Sequence, residues 1–213
     1  MKNILILGLL IVLTGVTFGV ATPAFADGVS ATDTVLSVSE ADGLVYMREE
    51  EKLAHDVYVT LYAQWGLPVF DNIANSEATH TAAIKTLLDI YGIADPAAGK
   101  GVGEFTNPDL QKLYDEFVAQ GSQSLTDALK VGAAIEEVDI RDLQTRLAKT
   151  SSADIKLVYN NLMRGSENHL QAFTTNLQRQ TGETYSSQGF GANSNNSVGT
   201  TTNQRGGRRW SNR

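Results

Sequence analysis

Four long segments of the chain repeat apolar residues three and four positions apart, which is the spacing of an amphipathic helix. They predict long helices over about 39–65, 69–91, 122–149 and 151–180. A shorter helix is expected over 107–121, because Asn107 can cap a helix and Pro108 suits the first helical position. No segment alternates convincingly with a period of two, so we expect no strand.

The connections between these helices predict the fold class. The first helix should begin at Ser39 and stop at Gly66-Leu67-Pro68, so it meets the second through a very short link. Ser122 or Ser124 opens the third long helix. Ser151 or Ser152 opens the last helix, which again follows a short link. The second and third long helices are instead joined by about 30 residues that include the short helix, the connectivity of ferritin-like bundles. We therefore expect an all-α, ferritin-like four-helix bundle with a long crossover.

Polar residues interrupt the apolar stripe of every long helix. On a helical wheel, Glu51 lies near the stripe of the first helix, while Glu50 and His55 flank it and Glu49 points away. The stripes of the other three contain two such residues each: Glu77 with His80, Glu136 with Asp139, and Ser166 with His169.

This repetition predicts a metal site. Burying one isolated carboxylate is costly even after the protein relaxes, so four helices that share this feature require neutralising charges. Carboxylates and imidazoles are ligands of divalent cations. Di-iron and di-manganese bundles take one Glu from each of two helices and Glu-x-x-His from each of the other two. We predict a di-iron or di-manganese centre whose ligands are Glu51, Glu77, His80, Glu136, Asp139 and His169.

The match to that pattern is incomplete on the last helix. Glu77-Ala-Thr-His80 is a full Glu-x-x-His, but Ser166-Glu-Asn-His169 has serine in the first position. Asp139, one turn after Glu136, could supply the missing carboxylate. For either histidine alone, a hydrogen-bonded position in the core is the alternative interpretation, and for His80 an interface position is another.

The two ends of the chain differ from the helical part. Lys2, an apolar run over 4–20 and the small residues Ala24 and Ala26 predict a signal peptide cleaved after Ala26. An uncleaved membrane anchor is the alternative. We expect an exported protein with no stable membrane insertion after cleavage, a linker over 27–38, the helical domain over 39–183 and a disordered Gly/Ser/Asn-rich basic tail over 184–213.

Composition narrows the function further. The chain has no cysteine, which excludes disulfides, thiolate catalysis and iron–sulfur clusters. Without Lys2 and the four tail arginines, the net charge of −7 becomes −12 for residues 27–183. This acidic body argues against nucleic-acid binding and is compatible with attracting cations.

Several runs resemble a ferritin-like family known only as domain of unknown function 2202. They are Glu49-Glu-Glu-Lys-Leu-Ala-His-Asp-Val-Tyr58, Asn72-Ile-Ala-Asn-Ser-Glu-Ala-Thr-His80, Ala128-Leu-Lys-Val-Gly-Ala-Ala-Ile-Glu-Glu-Val-Asp-Ile140 and Gly165-Ser-Glu-Asn-His-Leu-Gln-Ala-Phe173. The first run also resembles the Glu-x-x-Ala-x-x-x-Tyr of rubrerythrin-type proteins. The resemblance implies a ferritin-like bundle with a di-metal centre at Glu51, Glu77, His80, Glu136 and His169, but no established reaction.

Three functions stay open from the sequence. The metals could oxidise Fe(II) or reduce oxygen or peroxide; the protein could bind divalent metal ions without turnover; or it could be a structural module without metal, whose inward acids pair with cations or face a homodimer interface. Whether the protein is an enzyme is left undecided.

Overall fold

The computed structural model describes residues 36–187, and these form five helices and no strand. The helices are α1 (Val38–Trp65), α2 (Pro68–Ile90), α3 (Pro108–Gly121), α4 (Leu125–Leu147) and α5 (Ala153–Thr181). The prediction of four long helices and one short helix is confirmed. The predicted signal peptide, nearly all of the linker and most of the tail lie outside the described residues.

Local sequence signals fix most helix ends. Asn107 caps α3 by accepting hydrogen bonds from the backbone N–H groups of Asp109 and Leu110, as expected. Ser124, rather than Ser122, caps α4. The expected start of α1 at Ser39 was wrong by one residue: Ser37 forms a capping box with Glu40, so the helix begins at Val38.

The four long helices pack around a shared interior. α1 packs along α2 and α4 along α5, while α1 also contacts α4 and α2 also contacts α5. The links α1–α2 and α4–α5 are short, so each of these pairs is antiparallel. α3 packs against α1 and α4.

The crossover between α2 and α4 packs on α1, so that α1 is buried on more than the single face that an amphipathic helix normally buries. The backbone N–H groups of Thr106 and Asn107 donate to Glu49, and that of Gly103 donates to Asp56. Glu49 is consequently buried, and its expected outward orientation was wrong. Tyr62, expected in the apolar stripe, is exposed, although the adjacent Leu61 is buried.

The apolar core falls into two parts along the helix axes. One part includes Tyr58, Phe70 and Phe173, and the other includes Met47 and Leu143. The polar residues on the stripes lie between them in the sequence of every long helix. Within residues 36–187, no helix is long and apolar enough to cross a membrane.

Candidate metal centre

The four long helices bring buried acids and imidazoles together between the two halves of the core. Glu51, Glu77 and Glu136 are each 1 % exposed, and the His80 and His169 side chains are each 11 % exposed. Each helix positions its residues by the same means, namely an apolar stripe that continues above and below them.

The first group of potential ligands joins α1 to α2. His80 Nδ1 lies 2.8 Å from Glu77 Oε2 and 3.2 Å from Glu51 Oε2. Glu77 and His80 reach the same point because residues three apart lie on one face of a helix. One ligand atom from each of Glu51, Glu77 and His80 lies within 4.8 Å of the others, which is close enough to surround one cation.

The second group joins α2 to α4 and α5. His169 Nδ1 lies 2.6 Å from Glu77 Oε1 and 3.6 Å from Glu136 Oε2. One ligand atom from each of Glu77, Glu136 and His169 again lies within 4.8 Å of the others. Glu77 therefore belongs to both groups and presents one carboxylate oxygen to each histidine.

Asp139, predicted as a substitute ligand, lies outside both groups. Its Oδ2 accepts a 2.5 Å hydrogen bond from Ser166 Oγ, the serine at the position of the missing glutamate. Its Oδ1 is buried and accepts no hydrogen bond from residues 36–187. Asp139 thus adjoins the cluster without joining either group.

The residues present fit cations because several buried ligand atoms have no hydrogen-bonding partner among residues 36–187. They are Oε1 of Glu51, Oε1 of Glu77 and Nδ1 of His169. The last two atoms are only 2.6 Å apart, yet they are not aligned as donor and acceptor. An imidazole nitrogen and a carboxylate oxygen this close need a positive charge between them, which either a proton or a bound cation can supply.

Burial and mutual repulsion shift the ionisation of these groups. Burial, helped by the charges of Asp139 and Glu77, raises the pKa of Glu51 well above its ordinary value. Burial and the charge of Glu77 likewise raise the pKa of Glu136 to about 7. For Glu77, burial is outweighed by the imidazoles of His169 and His80, which lower its pKa to about 2. The acids outnumber the imidazoles, and the ion pairs of Glu51, Glu77 and Glu136 in residues 36–187 are all with histidine.

The imidazole of His169 shows the opposite effect. Burial alone would lower the pKa of His169, but contacts with Glu136 and Glu77 raise it to about 10. Its other ring nitrogen, Nε2, lies 3.0 Å from Ser76 Oγ. Such an outer contact fixes the ring orientation that a ligand needs. Ser76 has no signal in the sequence that distinguishes it from any other helical serine.

Two further residues shape the centre. Tyr58 donates a 2.6 Å hydrogen bond to Glu136 Oε1 and so orients an acid of the cluster. Gly165 lets His80 approach α5, since a Cβ atom at this position would lie 2.6 Å from the Cε1 and Nε2 atoms of His80. A glycine inside a long helix is a signal of such close packing, although it does not name the partner.

His55 and Glu50, expected beside the stripe of the first helix, have different environments. His55 is half-buried, and its Nδ1 lies 2.8 Å from Asp56, away from the cluster. Glu50 is buried although it was expected to flank the stripe, because α4 covers this side of α1.

Comparison with known proteins gives the family. Residues 40–200 match the family described as an uncharacterized protein domain, DUF2202. The chain belongs to this family. The DUF2202 resemblance found in the sequence is confirmed. The ferritin-like form of the bundle and the relationship to rubrerythrin-type proteins remain predictions.

The chain is also similar to a protein of known structure. The uncharacterized protein MJ0754 of Methanocaldococcus jannaschii is 53 % identical over 142 residues, which is 67 % of this chain and 77 % of the relative. The crystal structure of that hypothetical protein superposes with a TM-score of 0.70 at 51 % identity and covers 72 % of this chain and 87 % of the other. This likeness supports the helical fold described above.

Proposed function

We propose that this chain is a ferritin-like protein that binds two divalent cations, iron or manganese, with Glu77 between them. The observation that carries the proposal is the shared position of Glu77 in both ligand groups. Glu51 and His80 would hold one cation, and Glu136 and His169 would hold the other. This division corresponds to the ligand pattern of di-metal helical bundles, with a single glutamate where that pattern has two in the middle.

The protein's contribution is an ordered and nearly dry site. Tyr58 holds Glu136, Ser76 holds His169, and the apolar residues above and below keep solvent from the acids. A bound pair of iron or manganese ions would supply one-electron redox chemistry, with Fe(II), oxygen or peroxide as the reactants. The serine at position 166 leaves this pair with fewer carboxylates than a full six-ligand site.

The test is metal binding by the apo-protein. We expect anaerobic titration with Fe(II) or Mn(II) to give two equivalents per chain, and Glu77→Gln to lose both because it serves both groups. Glu167→Gln is the matched control, since Glu167 is an exposed acid on α5 next to Ser166. No bound metal in the unsubstituted protein, with an unchanged melting temperature in chelator, would end the proposal.

Non-catalytic capture of a divalent metal is the second candidate, and Ser166 favours it because the two metal positions are unequal. Exposure of the Fe(II)-loaded protein to air separates the candidates. Rapid oxygen consumption with stoichiometric Fe(II) oxidation supports redox function, whereas stable binding without oxygen consumption supports capture.

We also propose that the protein is exported, on the basis of the charged, apolar and small-residue segments over 1–26. The expected mature N-terminus is Asp27, which N-terminal sequencing of protein recovered from outside the cytoplasm would reveal. Recovery of the protein only with Met1 intact in the membrane fraction would favour the anchor instead.

A further inference from the structure

A row of acids on α4 leads away from the candidate metal centre. Glu136, Asp139 and Asp142 follow one another every three residues, so they lie on neighbouring turns of the helix. Glu136 is 1 % exposed and Asp139 is 5 % exposed, but the side chain of Asp142 is 26 % exposed. Exposure thus increases along the row, from Glu136 at the centre to Asp142 near the surface.

Glu50 of α1 lies against the outer part of this row. It is 4 % exposed, and neither of its carboxylate oxygens accepts a hydrogen bond by geometry from the described residues. Burial raises the pKa of Glu50, and the nearby charges of Asp142 and Asp139 raise it further. A carboxyl group buried beside two other acids is unfavourable by itself, which indicates a compensating partner.

The nearest arginine does not provide that partner. Arg146 lowers the pKa of Glu50 through its charge, but its guanidinium carbon lies 4.4 Å from the centre of the Tyr46 ring, on which it stacks. No ion pair within 4.0 Å joins Arg146 to Glu50 in residues 36–187. The Nε atom of Arg146 is likewise buried without a hydrogen-bond acceptor there.

The inner end of the row reaches the ligands. The charges of Asp139 and Glu50 both act on Glu51, and the free Oδ1 of Asp139 is buried while its Oδ2 is held by Ser166. Glu50 and Asp139 thus lie between Asp142 at the outer end of the row and the candidate ligand Glu51. At the outer end, Arg141 Nε lies 3.5 Å from Asp142 Oδ1.

We propose that Glu50, Asp139 and Asp142 form a transit site through which divalent cations pass from solvent to the paired centre. This inference rests on the proposed function. The site offers only oxygen ligands, so it suits hard divalent cations such as Mn(II) and Fe(II), and it lacks the imidazoles that would hold them tightly. Weak binding near the surface and stronger binding at the histidines would give the transfer its direction.

The experiment follows the rate of Mn(II) uptake by the full-length apo-protein, by stopped-flow mixing or by loss of the free Mn(II) signal. We expect Glu50→Gln and Asp142→Asn each to slow uptake about tenfold, as for other losses of electrostatic guidance, while two equivalents still bind at equilibrium. Glu167→Gln removes one negative charge near the centre but off the row, and should leave the rate within about twofold of the unsubstituted protein.

The outcomes separate this inference from the proposed function. Two equivalents bound at an unchanged rate in both variants overturn the transit site and leave the metal centre intact. Fewer than two equivalents in Glu50→Gln, with Asp142→Asn normal, also overturn it, because Glu50 would then be a ligand of the centre. No binding by the unsubstituted protein defeats the proposed function itself. Asp142 is partly exposed, so its variant tests the rate even if Glu50→Gln fails to fold.

Discussion

At the scale of single residues, the centre depends on how closely α5 approaches His80. Gly165 makes this approach possible, and a methyl group in its place would overlap the Cε1 and Nε2 atoms of the ring at 2.6 Å. A displaced imidazole would lose its alignment with Glu51 and Glu77. The lack of a side chain at position 165 is therefore necessary for the position of the candidate ligand His80.

We expect Gly165→Ala to weaken metal binding at the His80 position by about tenfold, within the range found when an outer contact of a ligand is lost. Isothermal titration with Mn(II) measures the change. Gly121→Ala is a matched control, because its Cβ would lie 2.9 Å from the Leu61 side chain in the apolar core, away from the candidate ligands. That control should lose about 1–3 kcal/mol of stability from overpacking but keep its metal affinity. Equal affinities in the two variants would contradict this role for Gly165.

At the scale of helices, the sequence predicted the buried residues better for α2 and α5, which bury one face, than for α1, which has neighbours on several sides. α2 and α5 present a single apolar stripe, and the wheel correctly placed Glu77, His80 and His169 on the buried side. α1 has neighbours on more sides, because the crossover packs on it as well as α2, α3 and α4. Hydrophobic periodicity assumes one buried face, so it could not predict that Glu49, Glu50 and Glu51 would all be buried.

The side-chain partners inside the candidate centre were also beyond the sequence. Helical spacing predicted that Glu77 and His80 share a face, but contacts between helices depend on how far each helix is shifted along its neighbour. That shift decides that Glu77 contacts both His80 and His169. It also decides that Asp139 accepts a hydrogen bond from Ser166 instead of joining the ligand groups. A sequence predicts on which face of a helix a residue lies, but it predicts only roughly the level of that residue relative to residues on neighbouring helices.

The start of α1 is joined to the α4–α5 turn by a single carboxylate. Glu40 completes the capping box with Ser37 and also accepts hydrogen bonds from Thr150 Oγ1 and the backbone N–H of Ser151. The hydrogen bonds from Thr150 and Ser37 lower its pKa to about 2 from an ordinary value of 4.5. An acid whose pKa is lower in the folded state stabilises the protein at pH values above its unfolded-state pKa. This stabilisation is lost as the pH falls through the folded-state pKa.

We therefore expect Glu40→Gln to destabilise the protein by about 1–3 kcal/mol at pH 7. The difference from the unsubstituted protein should shrink as the pH falls from about 4.5 towards 2, since protonated Glu40 and glutamine are both neutral. Urea unfolding across this range measures it. Glu116→Gln, which changes an exposed acid of α3, should have little effect at any pH. A constant difference between pH 7 and pH 2 would show that the charge of Glu40 is not responsible.

At the scale of the whole molecule, the acid layer separates two apolar halves of one core. Each half contains residues from all four long helices, so the layer between them has to be neutral enough for both halves to remain packed. In the metal-free protein, the raised pKa values of Glu51 and Asp139 favour their neutral, protonated forms, and the raised pKa of His169 favours its positive charge. Together these effects reduce the net negative charge of the layer. Bound cations would replace protons in that role, and they would bind the folded state far better than the unfolded chain.

This linkage predicts that metal binding stabilises the entire helical domain rather than one loop. At a free Mn(II) concentration about 100 times the dissociation constant, one site adds about 2.7 kcal/mol, which for a domain of this size raises the melting temperature by about 5–10 °C. Calorimetry of the same sample in Mn(II) and in chelator measures the shift, and the transition should remain single because all four ligand-bearing helices unfold together. Glu77→Gln should melt at one temperature under both conditions, since it has lost the carboxylate that both cations share. An unsubstituted protein that melts identically in Mn(II) and in chelator would mean that protons and histidines alone neutralise the acid layer.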